Sequence, residues 1–236
     1  MTEADQADQA ERAERADQAD QTEQAERADG GDQTASSAEA TGSPPRFSAR
    51  DLVNVAVFGV IFLVVAWSIS MLGVISPVVW LVTLPLEIVA CGIPFALFLT
   101  RVKRGGLVAV FGLIVALFFL LAGNTLISSL GIVALGAAAD LIFRAGGGGK
   151  WASILAYTVF SLGFFTPFLP VLFDREAYFA SSTWTDMGAA YTAAANALLT
   201  GPVLGLMAGA VLVAGFAGGL IGAAILRKHF VRAGLA

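Results

Sequence analysis

The chain has 236 residues, 57% of them hydrophobic, and its mean hydropathy of +0.77 is far above that of a soluble globular protein. The net charge of −4 is unevenly distributed. Residues 1–45 hold twelve acidic and three basic side chains, whereas residues 46–236 hold six acidic and eleven basic side chains. The one cysteine, Cys91, excludes an internal disulfide, and the one histidine, His229, excludes a histidine-rich metal site or a histidine-based catalytic triad. This composition is typical of a small polytopic membrane protein.

Residues 1–45 form an acidic, low-complexity segment in which alanine, an acidic residue and a polar residue recur with a spacing near three. The segment lacks large apolar side chains after Met1, so it has little surface to bury, and we predict a disordered tail. It also lacks the basic start and apolar core of a secretory signal. Residues 46–236 are predicted to form one transmembrane domain.

Six apolar segments follow the tail, at about residues 52–72, 78–99, 107–122, 126–143, 151–168 and 203–226. A helix needs about 20 residues to cross a bilayer core of about 30 Å. The third segment, with sixteen residues, is short unless the flanking glycines extend it. The pattern predicts an all-α integral membrane protein with six transmembrane helices.

The basic residues predict the orientation of these helices. Residues 46–236 contain eleven basic residues, and one of them, Arg175, lies in a loop on the outer side of the predicted bundle. The other ten fall on the opposite side, which the positive-inside rule assigns to the cytoplasm. We therefore predict a multi-pass protein of the cell membrane with both termini cytoplasmic. The ten are Arg46, Arg50, Arg101, Lys103, Arg104, Arg144, Lys150, Arg227, Lys228 and Arg232.

The last segment carries small residues in two rows with a spacing of four, and such rows let helix backbones approach closely in a membrane. We predict a helix-packing face, whose neighbour is either in this chain or in a partner subunit. The rows are Ala210, Ala214, Gly218 and Gly222, and beside them Gly215, Gly219 and Ala223.

Two acidic residues lie inside predicted spans, where a charge is costly. Glu87 is near the middle of the second span, two residues after Pro85. It either lines a solute pocket or pairs with a bound cation, or else Pro85 splits the span and Glu87 lies in a wet interfacial turn. Asp140 precedes Arg144 by one helical turn, which predicts a local ion pair.

The predicted outer loop at residues 174–202 is rich in aromatic and polar side chains, including Tyr178, Trp184 and Asn196. A loop of this length is more typical of a lid or binding element than of a plain connector, although each aromatic alone fits an interfacial belt. Thr185 and Asp186 are predicted to cap a short surface helix over residues 187–199.

Motifs of the common hydrolases and redox enzymes are absent from the sequence. It has no Walker A lysine motif, HExxH, Gly-x-Ser-x-Gly or CxxC. The GGGGK run at residues 146–150 lacks a preceding strand and a following serine or threonine, so it is predicted to be a flexible turn. We expect no enzymatic activity of the chain itself, no catalytic residue, no metal site and no cofactor.

Four stretches occur in order along the chain: SARDLVN at 48–54, GIP at 92–94 with FLTRVK at 98–103, REAYF at 175–179, and KHFVRAGLA at 228–236. They resemble the MptD, or Trep_Strep, family, over about residues 46–236. Members of that family are regarded as substrate-binding S components of energy-coupling factor (ECF) transporters.

The resemblance implies a six-helix S component in the lipid bilayer that captures a micronutrient at the outer face. Its implied partners are a transmembrane T subunit and two cytoplasmic ATPase subunits, with no nucleic acid. The alternative is a stand-alone transporter or channel for a small solute, although the spans show no clear inverted repeat or ring of charges.

The resemblance also implies where the partners bind. An outward pocket is expected among the loops after the first, third and fifth spans. The T subunit is expected on the first helix, where other S components carry an Ala-xxx-Ala pair and this chain has Ala56 and Gly59. The residues expected to contact substrate are Glu87, Asn124, Tyr178, Trp184 and Asn196.

Overall fold

The computed structural model describes residues 48–102 and 104–232, with side chains as far as residue 228. The disorder predicted for residues 1–45 lies outside these residues. The described part of the chain is helical and contains no strand. Its helices are α1 Ala49–Ser70, α2 Pro77–Leu99, α3 Leu107–Leu121, α4 Leu126–Ala145, α5 Lys150–Ser161, α6 Leu169–Phe173, α7 Arg175–Phe179, α8 Ser182–Thr185, α9 Ala189–Leu198 and α10 Gly201–Arg232.

Five segments of the described chain are long and apolar enough to cross a membrane. Four of them correspond to α1 with the 3₁₀ turn Met71–Ile75, to α2, to α4 and to α10. The fifth, Lys150–Phe173, joins α5, two 3₁₀ turns and α6. The third predicted span corresponds to α3, which has 15 residues and is shorter than the others. The structure thus supports five candidate spans, and a sixth crossing by α3 stays a prediction.

The first two helices begin at residues whose side chains satisfy free backbone amides. Ser48 and Asp51 form a reciprocal capping box at the start of α1. Ser76 accepts a hydrogen bond from the Val79 amide at the start of α2, where Pro77 needs no backbone partner. These caps define where each helix begins.

Helix α2 continues through both of its internal prolines, Pro85 and Pro94. Glu87 therefore lies within a helix and is buried. The interpretation in which Pro85 splits the second span and leaves Glu87 in a wet turn is wrong. One face of this segment, with Leu84, Glu87 and Ile88, is buried against the rest of the bundle, and packing of this kind lets a helix tolerate the backbone groups freed by proline.

The small-residue rows of α10 pack against two other helices of this chain. Gly218 and Gly222 lie against α2, and a Cβ atom built on Gly222 would stand 2.6 Å from the Gly92 carbonyl oxygen. Gly215 and Gly219 lie against α5, where a Cβ atom on Gly219 would stand 3.2 Å from Ile154 Cα. The predicted packing face is confirmed, and its neighbours are internal to the chain.

Seven of the eight basic side chains that the structure describes gather at one end of the bundle, here called the basic end, and Arg175 is the exception. Arg104 Nε lies 3.7 Å from an Asp51 carboxylate oxygen, which joins the α2–α3 loop to the start of α1. Asp140 joins that loop to the end of α4. The seven residues at the basic end are Arg50, Arg101, Arg104, Arg144, Lys150, Arg227 and Lys228.

Asp140 is a buried carboxylate with several partners. The Arg144 Nε donates to it at 2.8 Å, which confirms the predicted ion pair. The Gly106 and Val108 amides, at the start of α3, also donate to it at 2.9 and 3.2 Å. Asp140 therefore acts as the N-terminal cap of α3 from a different helix.

Four buried phenylalanines form a layer across the middle of the bundle. Their ring centroids lie 5.0–5.8 Å apart, mostly edge to face. Each ring is at most 2% exposed. This layer separates the basic end from the opposite end; it consists of Phe62, Phe95, Phe111 and Phe160.

Candidate binding cavity

A cavity of about 560 Å³ opens into the end of the bundle opposite the basic end. It lies between the end of α1, the beginning of α2, the turn from α3 to α4, and part of the chain between residues 164 and 191. Its volume is within the usual range of about 300–1,000 Å³ for small-molecule pockets. The four phenylalanines of the layer do not line the cavity, and each lies nearer the basic end than the lining residues on its own segment, so the layer stands between the cavity and the basic end.

The deepest polar group of the cavity is the Glu87 carboxylate. Its residue is 2% exposed, and the Ser70 hydroxyl at the end of α1 donates to Glu87 Oε2 at 2.8 Å. Neither of the ion pairs between described residues involves Glu87. A charged group placed in the cavity would therefore meet a carboxylate without a basic partner among these residues.

Aromatic side chains form much of the wall. The centroid of the Trp80 ring lies 4.8 Å from the ring centroid of Phe168 and 5.9 Å from the ring centroid of Trp184. Tyr178 contacts Trp184 at 5.4 Å, and its burial raises the pKa of the phenol to about 12. The phenol is protonated at neutral pH, as it would be without the shift, and can donate a hydrogen bond.

A segment named here the cap, residues 174–199, contributes the outer wall of the cavity. The Tyr191 hydroxyl donates to the Gly73 carbonyl at 2.8 Å, in the turn after α1. The Thr183 hydroxyl donates to the Gly123 carbonyl at 3.3 Å, in the turn after α3. The cap is thus attached to two loops that border the cavity.

Arg175 holds the cap together internally. Its Nε donates to Asn196 Oδ1 at 2.7 Å, and its guanidinium also donates to the backbone carbonyls of Asn196 and Leu199. A cation at the end of α9 is electrostatically favourable there. Asn196 is outside the cavity lining, so the structure gives it a contact within the cap.

Helix α9 begins after Gly188, whose φ of 88° is in the left-handed region that favours glycine. No side chain caps this helix. The prediction that Thr185 and Asp186 cap this helix is wrong, because Thr185 is the last residue of α8, where its hydroxyl donates to the Ser182 carbonyl, and Asp186 follows it in the turn before Gly188.

The structure brings four of the five predicted contact residues to one cavity. Glu87, Asn124, Tyr178 and Trp184 line it, while Asn196 does not. Their contact with substrate stays a prediction. Three further lining residues, at the end of α1 and the beginning of α2, were not predicted. In the sequence they belong to long apolar segments, and nothing there distinguishes them from residues that face lipid. These residues are Trp67, Ser70 and Trp80.

The two residues predicted to contact a T subunit lie on different faces of α1. Ala56 is exposed. Gly59 is buried, and a Cβ atom placed on it would lie 3.6 Å from Ile114 of α3. Of the two, only Ala56 is on a surface that is open to a partner or to lipid.

Replacing Tyr191 with phenylalanine is expected to loosen the cap while leaving the bundle folded. The change removes the hydroxyl that donates to Gly73, a hydrogen bond worth about 1 kcal/mol. Hydrogen–deuterium exchange should become faster in the cap and in residues 71–75. Thr185→Val, which removes a hydroxyl bond within the cap, is the control. Unchanged exchange in Tyr191→Phe would contradict this attachment.

The helical bundle, its five candidate spans and its one-sided cavity define a polytopic membrane protein. The chain belongs to the Trep_Strep family, described as a hypothetical bacterial integral membrane protein, whose model matches residues 49–232. Neither the curated proteins nor the solved structures include a match to the chain.

Proposed function

We propose that this chain is the substrate-binding S component of an ECF-type transporter. The observation that carries the proposal is the cavity, which is open at one end of the bundle and has the buried phenylalanine layer between it and the other end. A cavity of this form is suited to holding a small molecule. The four sequence stretches that resemble MptD proteins add the connection to ECF transporters.

The charge distribution gives the proposed orientation. The positive-inside rule places the basic end in the cytoplasm and the cavity outside. A micronutrient would then enter from outside, beneath the cap, and contact Glu87, Asn124, Tyr178 and Trp184. Energy for import would come from two ATPase subunits, and the chain itself would have no enzymatic role.

The proposed T-subunit contact is the exposed face of α1 that includes Ala56. Its neighbours Val53, Val57 and Val60 are 50–59% exposed, so this face is apolar and open. A small residue among them would allow a partner helix to approach closely. Gly59 is buried on the side of α1 that faces Ile114 of α3, so it is not part of this exposed face.

The alternative is a transporter that moves its solute without partners. The closed layer of Phe62, Phe95, Phe111 and Phe160 argues against an open channel, whereas an alternating-access carrier would have to separate these rings. The two functions differ in their need for a T subunit and ATPases.

Co-purification tests the proposal. The tagged full chain is co-expressed with a T subunit and two ATPase subunits of a bacterial ECF transporter, and the eluted subunits are counted by mass spectrometry. We expect all four to elute together and Ala56→Phe to reduce the partners' yield. Leu206→Phe, at a position 75% exposed on α10, is the control. Elution of the chain alone, with import of its co-purifying solute into liposomes that lack the partners, would reject the proposal.

A further inference from the structure

The charged groups around the cavity are of one sign. Among the described residues, its lining includes the carboxylates of Glu87 and Asp174 and no lysine, arginine or histidine. Asp174 lies in the cap, where its side chain accepts from the Ala177 amide at 2.9 Å. Glu87 is buried in the largely apolar cavity and Asp174 is exposed at its edge, and the potential of these carboxylates favours a positive ligand and disfavours an anion.

Glu87 is placed to meet such a ligand. Its hydrogen bond from Ser70 orients the carboxylate but supplies no positive charge. A buried carboxylate without a cation is costly, and a ligand cation beside it would offset that cost. Its residue is 2% exposed, so the pair would be shielded from bulk water.

The walls offer a second mode of attraction for a cation. Trp67 and Trp80 line the cavity from α1 and α2, and Trp184 lines it from the cap. The Trp67 ring stands edge-on to Phe118 at 5.4 Å, whereas Trp80 lies between Phe168 and Trp184. Indole faces attract organic cations, including quaternary ammonium groups.

We propose that the cavity takes an organic cation, with its positive group at Glu87 and an apolar or aromatic body between the tryptophans. The inference deepens the proposed function and rests on it for the role of the cavity. Inorganic cations fit less well, because no group of three or more acidic, histidine or cysteine side chains that could hold a metal ion occurs among the described residues, and most of the wall is apolar or aromatic. The volume of about 560 Å³ accommodates a ligand of one or two rings.

The test uses three small probes on the full chain in a neutral maltoside detergent: benzyltrimethylammonium, benzyl alcohol and benzylsulfonate. Tryptophan fluorescence is the readout, because three of the four tryptophans line the cavity and the fourth, Trp151, lies in the first turn of α5 at the basic end. Saturable quenching is expected with the cation, and neither the neutral nor the anionic probe should compete with it.

Glu87→Gln removes the charge while keeping the size of the side chain, and it should weaken binding of the cationic probe by about tenfold or more. Glu176→Gln is the matched control, since Glu176 is exposed in the cap and outside the cavity lining. The Glu176→Gln variant should bind the cationic probe with the same affinity as the unsubstituted chain. The comparison of the three probes on the unsubstituted chain needs no variant, so poor folding of Glu87→Gln would not remove the test.

Three results would overturn the inference: equal or tighter binding of benzylsulfonate or benzyl alcohol, undiminished cation binding by folded Glu87→Gln, or no saturable binding of the cation. None of them bears on co-purification with the T subunit and ATPases, which tests the proposed function separately. Conversely, selective cation binding by a chain that elutes alone would support the ligand class and reject the S-component role.

Discussion

Alanine at Gly222 is expected to destabilise the protein by about 1–3 kcal/mol, because the added methyl group would force α10 away from α2. The new Cβ atom would meet the Gly92 carbonyl oxygen at 2.6 Å and Ala96 Cβ at 2.7 Å. The first of these is a backbone atom of a helix, which cannot turn aside as a flexible side chain could. The midpoint of thermal unfolding in detergent measures the effect.

Gly209→Ala is the matched control on the same helix. A Cβ atom at Gly209 would meet nothing within 4 Å, so this variant should be as stable as the unsubstituted chain or slightly more stable, since alanine favours helix over glycine. Equal unfolding midpoints for the two variants would show that the α2–α10 contact is not as close as described.

Asp140→Ala is expected to cost about 3 kcal/mol, because it leaves several buried or partly buried groups without their acceptor. The amides of Gly106 and Val108 would lose the carboxylate that caps α3, and Arg144 would lose its partner. The free energy of unfolding should fall, and exchange of the first amides of α3 should become faster.

Two further variants distinguish the capping of α3 by Asp140 from the ion pair between Asp140 and Arg144. Asp140→Asn retains an acceptor of the same shape and should lose less stability than Asp140→Ala. Arg144→Gln leaves the backbone amides bonded to Asp140, and its side chain is 52% exposed, so its loss should also be smaller. If Arg144→Gln were as damaging as Asp140→Ala, the ion pair and not the capping of α3 would be the important contact.

The sequence predicts helix packing well where the pattern itself carries the information. Small residues every four positions in α10 are visible in the sequence, and they do pack closely. The identity of the neighbours was not predictable, because Gly92 is one glycine among 26 and nothing in its local sequence assigns it to Gly218 rather than to another helix. Such pairings depend on the three-dimensional arrangement of the bundle.

The cavity was predictable only in part. The cost of a charge in a membrane span drew attention to Glu87, whereas Ser70 precedes it by seventeen positions and meets it only in the fold. Asn196 is the opposite case, because the fold gives its amide a partner outside the cavity lining, and its contact with substrate stays a prediction. Its amide suggested substrate contact, but Arg175 engages it within the cap. A short polar residue in a long loop can form hydrogen bonds within the loop or contact a ligand, and only the fold distinguishes these two roles.

The α2–α10 contact has a consequence for ligand recognition. Glu87 stands on α2 five residues before Gly92, and Gly92 is where this helix is fixed against α10 by backbone proximity. The inner wall of the cavity is therefore preorganised, whereas the outer wall depends on side-chain bonds such as that from Tyr191. Ordering on ligand capture should fall mainly on the outer wall, so that variation in cap residues other than Asp174 should alter the rates of entry and release more than the charge preference.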